Sequence, residues 1–404
     1  MPGLGLPKAE RPKDVGLSGK RLARLSATFR RDVERGTIPG AVVLVARGGN
    51  IAYAEAFGWR DREAKAPMEL DAIFRIASMT KPLTSVAAMI LAEEGKLQIA
   101  APVAEYLPEF ADRTVGAERV PAKRVMTVQD LLRHTSGLTY AAFGDSPVQM
   151  IWRDAQPMSE DQTSAEMVAK LASLPLMFEP GTTWEYSMST DVLGGVVEIV
   201  SGQDLAAFID ARICRPLGLR DTGFAATGDR AARVAEPQTD PATGSRPPMR
   251  NVTNSGRWAS GGGGAVSTAA DYLRFCQMLL NGGELDGTRV LAPKTVLLMA
   301  SDHLPPGCNY GDTARPRFGA LAPVPEMGYG FGLGFAVRTD AGRCPLPGSV
   351  GEYFWGGVLG TSFWIDPVEQ LVVVAMMQAP ERRLYYRHLL RPLVYGALVG
   401  SAPG

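Results

Sequence analysis

Ser78 and Lys81 stand three residues apart in Ser78-Met79-Thr80-Lys81, where an apolar, helix-forming run begins. On a helix that spacing puts both side chains on one face. A serine hydroxyl becomes a nucleophile when a neighbouring base takes its proton, and a lysine serves as that base where its surroundings keep it neutral. Ser78 is therefore the candidate nucleophile and Lys81, held neutral, its candidate base. No other serine in the chain is followed by lysine at the third position. Ile73 to Ala77 form a short apolar approach, Leu83 to Leu91 read as a buried helix, and Gly95 fits its C-cap. A serine in the first turn of such a helix has its amide at the positive end of the macrodipole, where an oxyanion is stabilised. These are the requirements of acyl transfer.

Two further places can join that chemistry. Tyr186, in Trp184-Glu185-Tyr186-Ser187-Met188, follows the turn-like Glu179-Pro180-Gly181-Thr182 and precedes a helix, so it sits on a loop where it could pass protons between serine, lysine and a leaving group. Taken alone it reads as a half-buried packing residue. Trp355-Gly356-Gly357-Val358 puts paired glycines in a strand pattern, which means a close approach to the backbone or a β-bulge.

The elements that must position these residues suggest a discontinuous architecture. Leu22, Leu25, Phe29 and Val33 give Ser18 to Arg35 a helical period, and Ala41 to Arg47 with Ile51 to Trp59 flank a Gly48-Gly49-Asn50 hairpin turn. Helices are expected over 128–133, 165–172 with a Thr163/Glu166 capping box, 191–200 and 204–213. A helix from Thr268 to Leu280 is followed by four strands of an antiparallel sheet, at 329–338, 350–355, 361–365 and 371–377. A last helix, 382–399, is expected to break or kink at Pro392. Strands at both ends of the chain predict an α/β (α+β) fold: a sheet domain from 18–95 and 265–404, flanked by helices, holds a mainly helical insertion at 96–264, with the active site between them.

Composition narrows the class. With 404 residues, 46% of them apolar, the chain can bury a large core, and 42 basic residues balanced by 42 acidic ones leave no field that favours nucleic acid or an anionic membrane. Arg30-Arg31 and Arg382-Arg383 read as solvated helix faces. Four scattered cysteines show no metal-ligand spacing and are expected to be structural thiols, and no cofactor is implied. Met1 to Val15 lacks an apolar signal core, so a soluble, cytoplasmic protein is expected. Other catalytic plans are missing their parts. There is no G-x-S-x-G and no H-E-x-x-H; His134, His303 and His388 have no triad company; and no Gly-Lys-Ser/Thr follows Gly261 to Gly264, which reads as a flexible or close-packed loop.

In this order along the chain, Ser78-Met79-Thr80-Lys81, Tyr186-Ser187-Met188 and Trp355-Gly356-Gly357 resemble the serine β-lactamase and penicillin-recognising superfamily, and most nearly its family VIII carboxylesterases, relatives of class C β-lactamases. The resemblance runs from about Ser18 to Val399 and includes Leu131-Leu132-Arg133-His134-Thr135-Ser136-Gly137-Leu138. It implies a β-lactamase/transpeptidase-like fold, Ser78 as nucleophile, Lys81 and Tyr186 as a shared acid/base pair, and the amides of Ser78 and Val358 as oxyanion donors. The expected substrate contacts are Trp355, Gly356, Gly357, Met188 and Tyr140, with Asp191 in support as an acceptor for the Trp355 indole.

Two departures bear on the substrate. Met188 stands where a class C enzyme has asparagine, and Trp355 where it has the lysine of Lys-Thr-Gly, so the amide and the cation that meet a β-lactam are both gone. Losing a charged partner costs about 2–5 kcal/mol of binding, which turns preference toward neutral, apolar esters. The expected activity is a carboxylesterase for short-chain or aryl esters, with weak β-lactam hydrolysis. A β-lactamase, D-alanyl peptidase, amide hydrolase or acyltransferase of the same plan, and a non-catalytic binding module, are the alternatives.

Overall fold

The computed structural model describes residues 4–240 and 243–400; the last four residues of the expected sheet domain lie outside them. Its main sheet is built from β1 (Gly40–Arg47), β2 (Asn50–Asp61), β3 (Ala66–Pro67), β4 (Tyr329–Phe331), β5 (Ala336–Arg338), β6 (Tyr353–Gly356), β7 (Ser362–Asp366) and β8 (Leu371–Met377). They pair in the order β4-β5-β6-β7-β8-β1-β2-β3. β1 and β8 are buried at every position and lie side by side, antiparallel, from Ala41 opposite Met377 to Arg47 opposite Leu371. Strands covered on both faces need such unbroken apolar runs, and this pairing closes the two ends of the chain into one sheet. The hairpin between β1 and β2 turns through Gly48 and Gly49, both at positive φ.

The helices that matter for the site are α1 (Gly19–Glu34), α2 (Thr80–Glu93), α3 (Val128–Leu132), α4 (Ser164–Ser173), α5 (Ser189–Ser201), α6 (Ala269–Leu280) and α7 (Arg383–Tyr395). Ser18 caps α1 by accepting the Arg21 N–H, and Thr163 and Glu166 form the expected capping box of α4. α1 and α7 pack against each other through Phe29, whose ring stacks on Phe57 of β2 and Tyr386 of α7. α6 lies on β1 and β8, and α2 packs against α5, so one apolar core runs through the sheet and the helices. The α/β class with an antiparallel sheet flanked by helices is as the sequence predicts.

Some boundaries differ. Residues 329–338 form two strands, because the chain reverses at Gly332-Leu333-Gly334, with Gly334 at φ +106°. Pro392 stays inside an unbroken α7, where Leu390, Arg391 and Val394 are buried and packing outweighs one missing hydrogen bond. The expected helix at 204–213 ends at Ile209 and continues as a π-helical turn.

The far end of the sheet is tied to α7 by Glu352. Its fully buried carboxylate accepts from Arg391 Nη1 at 2.5 Å and from the hydroxyls of Tyr329 and Tyr395, each at 2.9 Å, with Arg338 Nη1 at 3.6 Å. Both arginines are almost wholly buried. Glu352→Ala would leave two guanidinium groups without their counter-ion and should destabilise the fold by about 3–5 kcal/mol. Urea denaturation measures this, and a loss of less than about 1 kcal/mol would show that the network contributes little.

Candidate active site

The approach to Ser78 is a short extended pair, Phe74–Arg75 against Val266–Ser267, which breaks into a 3₁₀ turn over Ala77–Met79. Ala77 has φ +45°, an uncommon conformation for a residue with a side chain, and this sharp reversal holds Ser78 just ahead of α2. The serine thus precedes the α-helix proper, while Lys81 is in its first turn. Thr80 fastens the corner: its hydroxyl donates to Ala77 O at 2.7 Å and accepts from Ala265 N at 3.0 Å. Ser78 is partly exposed, at the wall of a cavity of about 380 Å³.

Lys81 is buried beside it. Its Nζ donates to Gly262 O at 2.6 Å and to the Tyr140 hydroxyl at 3.1 Å, and lies 4.6 Å from the centre of the Tyr186 ring. The Gly261–Gly264 loop is close-packed: a Cβ on Gly261 would stand 2.8 Å from Thr190 O. Asp191 Oδ1 holds this loop by accepting from Gly262 N at 3.0 Å and Ser260 Oγ at 2.5 Å. Asp191 therefore supports the lysine's acceptor rather than the Trp355 indole, a correction to the expected pairing.

The electrostatics correct a second expectation. Burial pulls the Lys81 ammonium down, but the facing oxygens of Tyr140, Tyr186 and Asp191 outweigh it, and the lysine is held above its ordinary range. Burial likewise raises Tyr140, which keeps its proton. The direction is opposite to the lowering, and hence the neutral lysine, that burial alone predicts.

Tyr186 comes from the loop between Thr183–Trp184 and α5, and its ring sits among His134, Phe318 and Trp355 at centroid distances of 4.8, 5.4 and 5.2 Å. Trp355 Nε1 donates to the Tyr186 hydroxyl at 3.3 Å. The indole is 3% exposed and stands behind the tyrosine, off the cavity wall. Met188, at the start of α5, is fully buried and also off the wall. Gly356 and Val358 do line the cavity; Gly357 is pressed against Ile76 O and the Thr361 hydroxyl, the close backbone approach that paired glycines signal. Of the five expected substrate contacts, then, Tyr140 and Gly356 reach the cavity, and Trp355, Gly357 and Met188 support it from behind. The N–H groups of Ser78 and Val358 have no protein acceptor among the described residues, and both residues face the same cavity.

Within the Leu131 to Leu138 stretch, His134 packs against the Tyr186 ring. Asp130 is lowered: burial opposes its charge, but Arg124, Arg133 and Thr127 bond to it and prevail. His134, at φ +59°, is buried, pushed well below its ordinary range by burial and Lys81, and lies 3.3 Å from Ser187 Oγ. It is a buried packing residue. The rest of the cavity was not signalled by any motif: Phe143, Met158, Trp258, Phe318 and Leu359 make it apolar, and Arg317, Arg383 and Arg387 make it cationic. Arg383, expected on a solvated helix face, points into the site. A larger cleft of about 740 Å³ shares the wall made by Arg250, Gly256 and Trp258 but contains none of the catalytic candidates. Among the described residues no group of His, Cys, Asp or Glu could hold a metal ion, the four cysteines are free, and no single helix is long and apolar enough to cross a membrane.

Comparison with known proteins identifies the family. The family model Beta-lactamase matches residues 25–391. Esterase EstB of Burkholderia gladioli is 34% identical over 380 residues, covering 88% of this chain and 89% of its own. Lovastatin esterase of Penicillium rubens is 31% identical, covering 88% and 92%. Among solved structures, EstCE1, described as a hydrolase with promiscuous acyltransferase activity, superposes with a TM-score of 0.79 at 31% identity, covering 93% of this chain and 99% of that one. The chain belongs to the beta-lactamase family, on the branch that holds its serine esterases.

Proposed function

We propose that this enzyme is a carboxylesterase that cleaves short-chain or aryl esters through an acyl-enzyme on Ser78. Ser78 Oγ attacks the ester carbonyl carbon, and its proton passes to the Lys81/Tyr186 pair once that pair has lost a proton to solvent. The carbonyl oxygen becomes an oxyanion that accepts from the N–H groups of Ser78 and Val358. Collapse breaks the bond to the alcohol oxygen, which leaves with the proton held by the pair. Water then repeats the sequence and frees the acid. The observation that carries this reading is the placement of Lys81 Nζ, bonded to Tyr140 and Gly262 and stacked over Tyr186, behind a cavity that Ser78 lines.

Nothing stands on the strand at position 355 to meet a lactam carboxylate, and Met188 offers no amide. Measured with p-nitrophenyl esters of increasing chain length beside a chromogenic cephalosporin, kcat/KM should favour the esters by at least about 30-fold, the low end of losing a charged partner. Equal or reversed preference would move the reading to a β-lactamase. Acyl transfer to an alcohol is the second reading, favoured by the large cleft that adjoins the cavity across Trp258 and by the activity described for EstCE1.

A further inference from the structure

The cavity that Ser78 lines contains four arginines and one glutamate. Burial lowers Arg250 and Glu160 opposes this from a distance, and Arg250 is committed to Gly264 O and Phe224 O. The other three, Arg317, Arg383 and Arg387, form no ion pair among the described residues, whereas Arg391, one turn along α7 from Arg387, is paired with Glu352. Arg317 lies flat on the Phe143 ring, 3.4 Å from its centre. Arg383 Nη1 donates to Pro380 O, and Arg387 Nη2 to Gly357 O and Thr361 O. The Nε–H groups of Arg317 and Arg387 are buried with no acceptor. The carboxyl nearest in effect to Arg317 is Glu185, which burial pushes up to about 7 and which accepts from the Thr139 hydroxyl, so it is a weak counter-ion.

Burial, and after it the charge of the neighbouring Arg383, draw the Arg387 guanidinium down to about 10. Spare donors and uncompensated charge in a ligand cavity are relieved by an anion, and the planar guanidinium fork matches a carboxylate. Resting on the esterase reading above, we propose that Arg317, Arg383 and Arg387 form a carboxylate subsite, and that the enzyme's substrates are esters bearing a free carboxylate. The cation that the sequence lacks at position 355 is supplied from other elements, Arg317 from the short helix Ala314–Phe318 before β4 and the other two from α7. Arg387 lies against Gly356, next to that strand position, and donates to Gly357 O, so a carboxylate is met from α7 beside the strand rather than by a side chain at position 355.

The test uses two matched pairs that differ only in charge: 4-acetoxybenzoate and its methyl ester, with the carboxylate on the leaving group, and mono(4-nitrophenyl) adipate and its methyl ester, with the carboxylate on the acyl group. In Arg317→Gln and Arg383→Gln the charged-to-neutral ratio of kcat/KM should fall about tenfold or more, chiefly through KM, on whichever pair presents its carboxylate to the subsite. Arg317→Lys should retain part of the ratio. In the wild-type enzyme, KM for the charged ester should rise as sodium chloride approaches about 0.5 M while KM for its neutral partner does not. Ratios unchanged on both pairs, with the neutral esters turned over, would overturn the carboxylate subsite alone. No turnover of any of the four esters, with no fluorophosphonate labelling of Ser78, would overturn the esterase reading and this proposal together.

Discussion

Ser78→Ala should lower ester turnover by about a million-fold, to the residual rate that oxyanion stabilisation and binding can sustain without a nucleophile, and should abolish labelling by a fluorophosphonate probe. The size of the effect follows from the mechanism: without Oγ there is no acyl-enzyme, and the Lys81/Tyr186 pair has no hydroxyl to activate. The fold should be unaffected, because the Ser78 side chain makes no hydrogen bond to the protein among the described residues and loses only one oxygen facing the cavity. An unchanged urea midpoint together with lost labelling separates chemistry from stability. Near-normal turnover by the alanine variant would mean that another group is the nucleophile.

The parts of this site that the sequence reveals are the ones set by local spacing. Ser78 and Lys81 are fixed to one another by a single turn of chain, and the apolar run behind them makes α2 wherever it packs. β1 and β8 are legible because a strand buried on both faces must be apolar throughout. The paired glycines at 356 and 357 correctly signal backbone pressed against something, though only the structure names Ile76 O and Thr361. What the sequence hides is which side of a residue meets the cavity. Trp355 is on a strand beside the site, yet its ring faces Tyr186 rather than the substrate, and Arg383 belongs to a helix whose period gives no sign that its first turn overhangs the cavity. The charge of Lys81 is hidden for the same reason: burial alone favours a neutral amine, and the oxygens that reverse this come from Tyr140, Tyr186 and Asp191, which are 59, 105 and 110 residues away in the chain.

That reversal sets the pH dependence. Acylation needs the Lys81/Tyr186 pair short of one proton, and the resting lysine is held protonated above its ordinary range, so the competent form is a minority at neutral pH. Each unit of alkaline change multiplies that minority about tenfold, and kcat/KM should climb with a slope near one from about pH 6 through pH 9 without a plateau. Lys81→Met should reduce kcat by about 10³–10⁴, because it removes both the proton carrier and the cation that steadies Tyr186. Tyr140→Phe is the more discriminating change. It takes from the buried ammonium the hydroxyl that accepts its hydrogen bond at 3.1 Å, so desolvation regains the upper hand and the lysine titrates lower. The acid limb of the profile should then move toward lower pH, with relatively more activity retained at neutral pH than at pH 9. With a substrate whose chemistry limits the rate, a wild-type profile flat from about pH 5 to pH 8 would remove Lys81 from the base's role, and a Tyr140→Phe limb displaced to higher pH would mean that the phenol does not hold the ammonium.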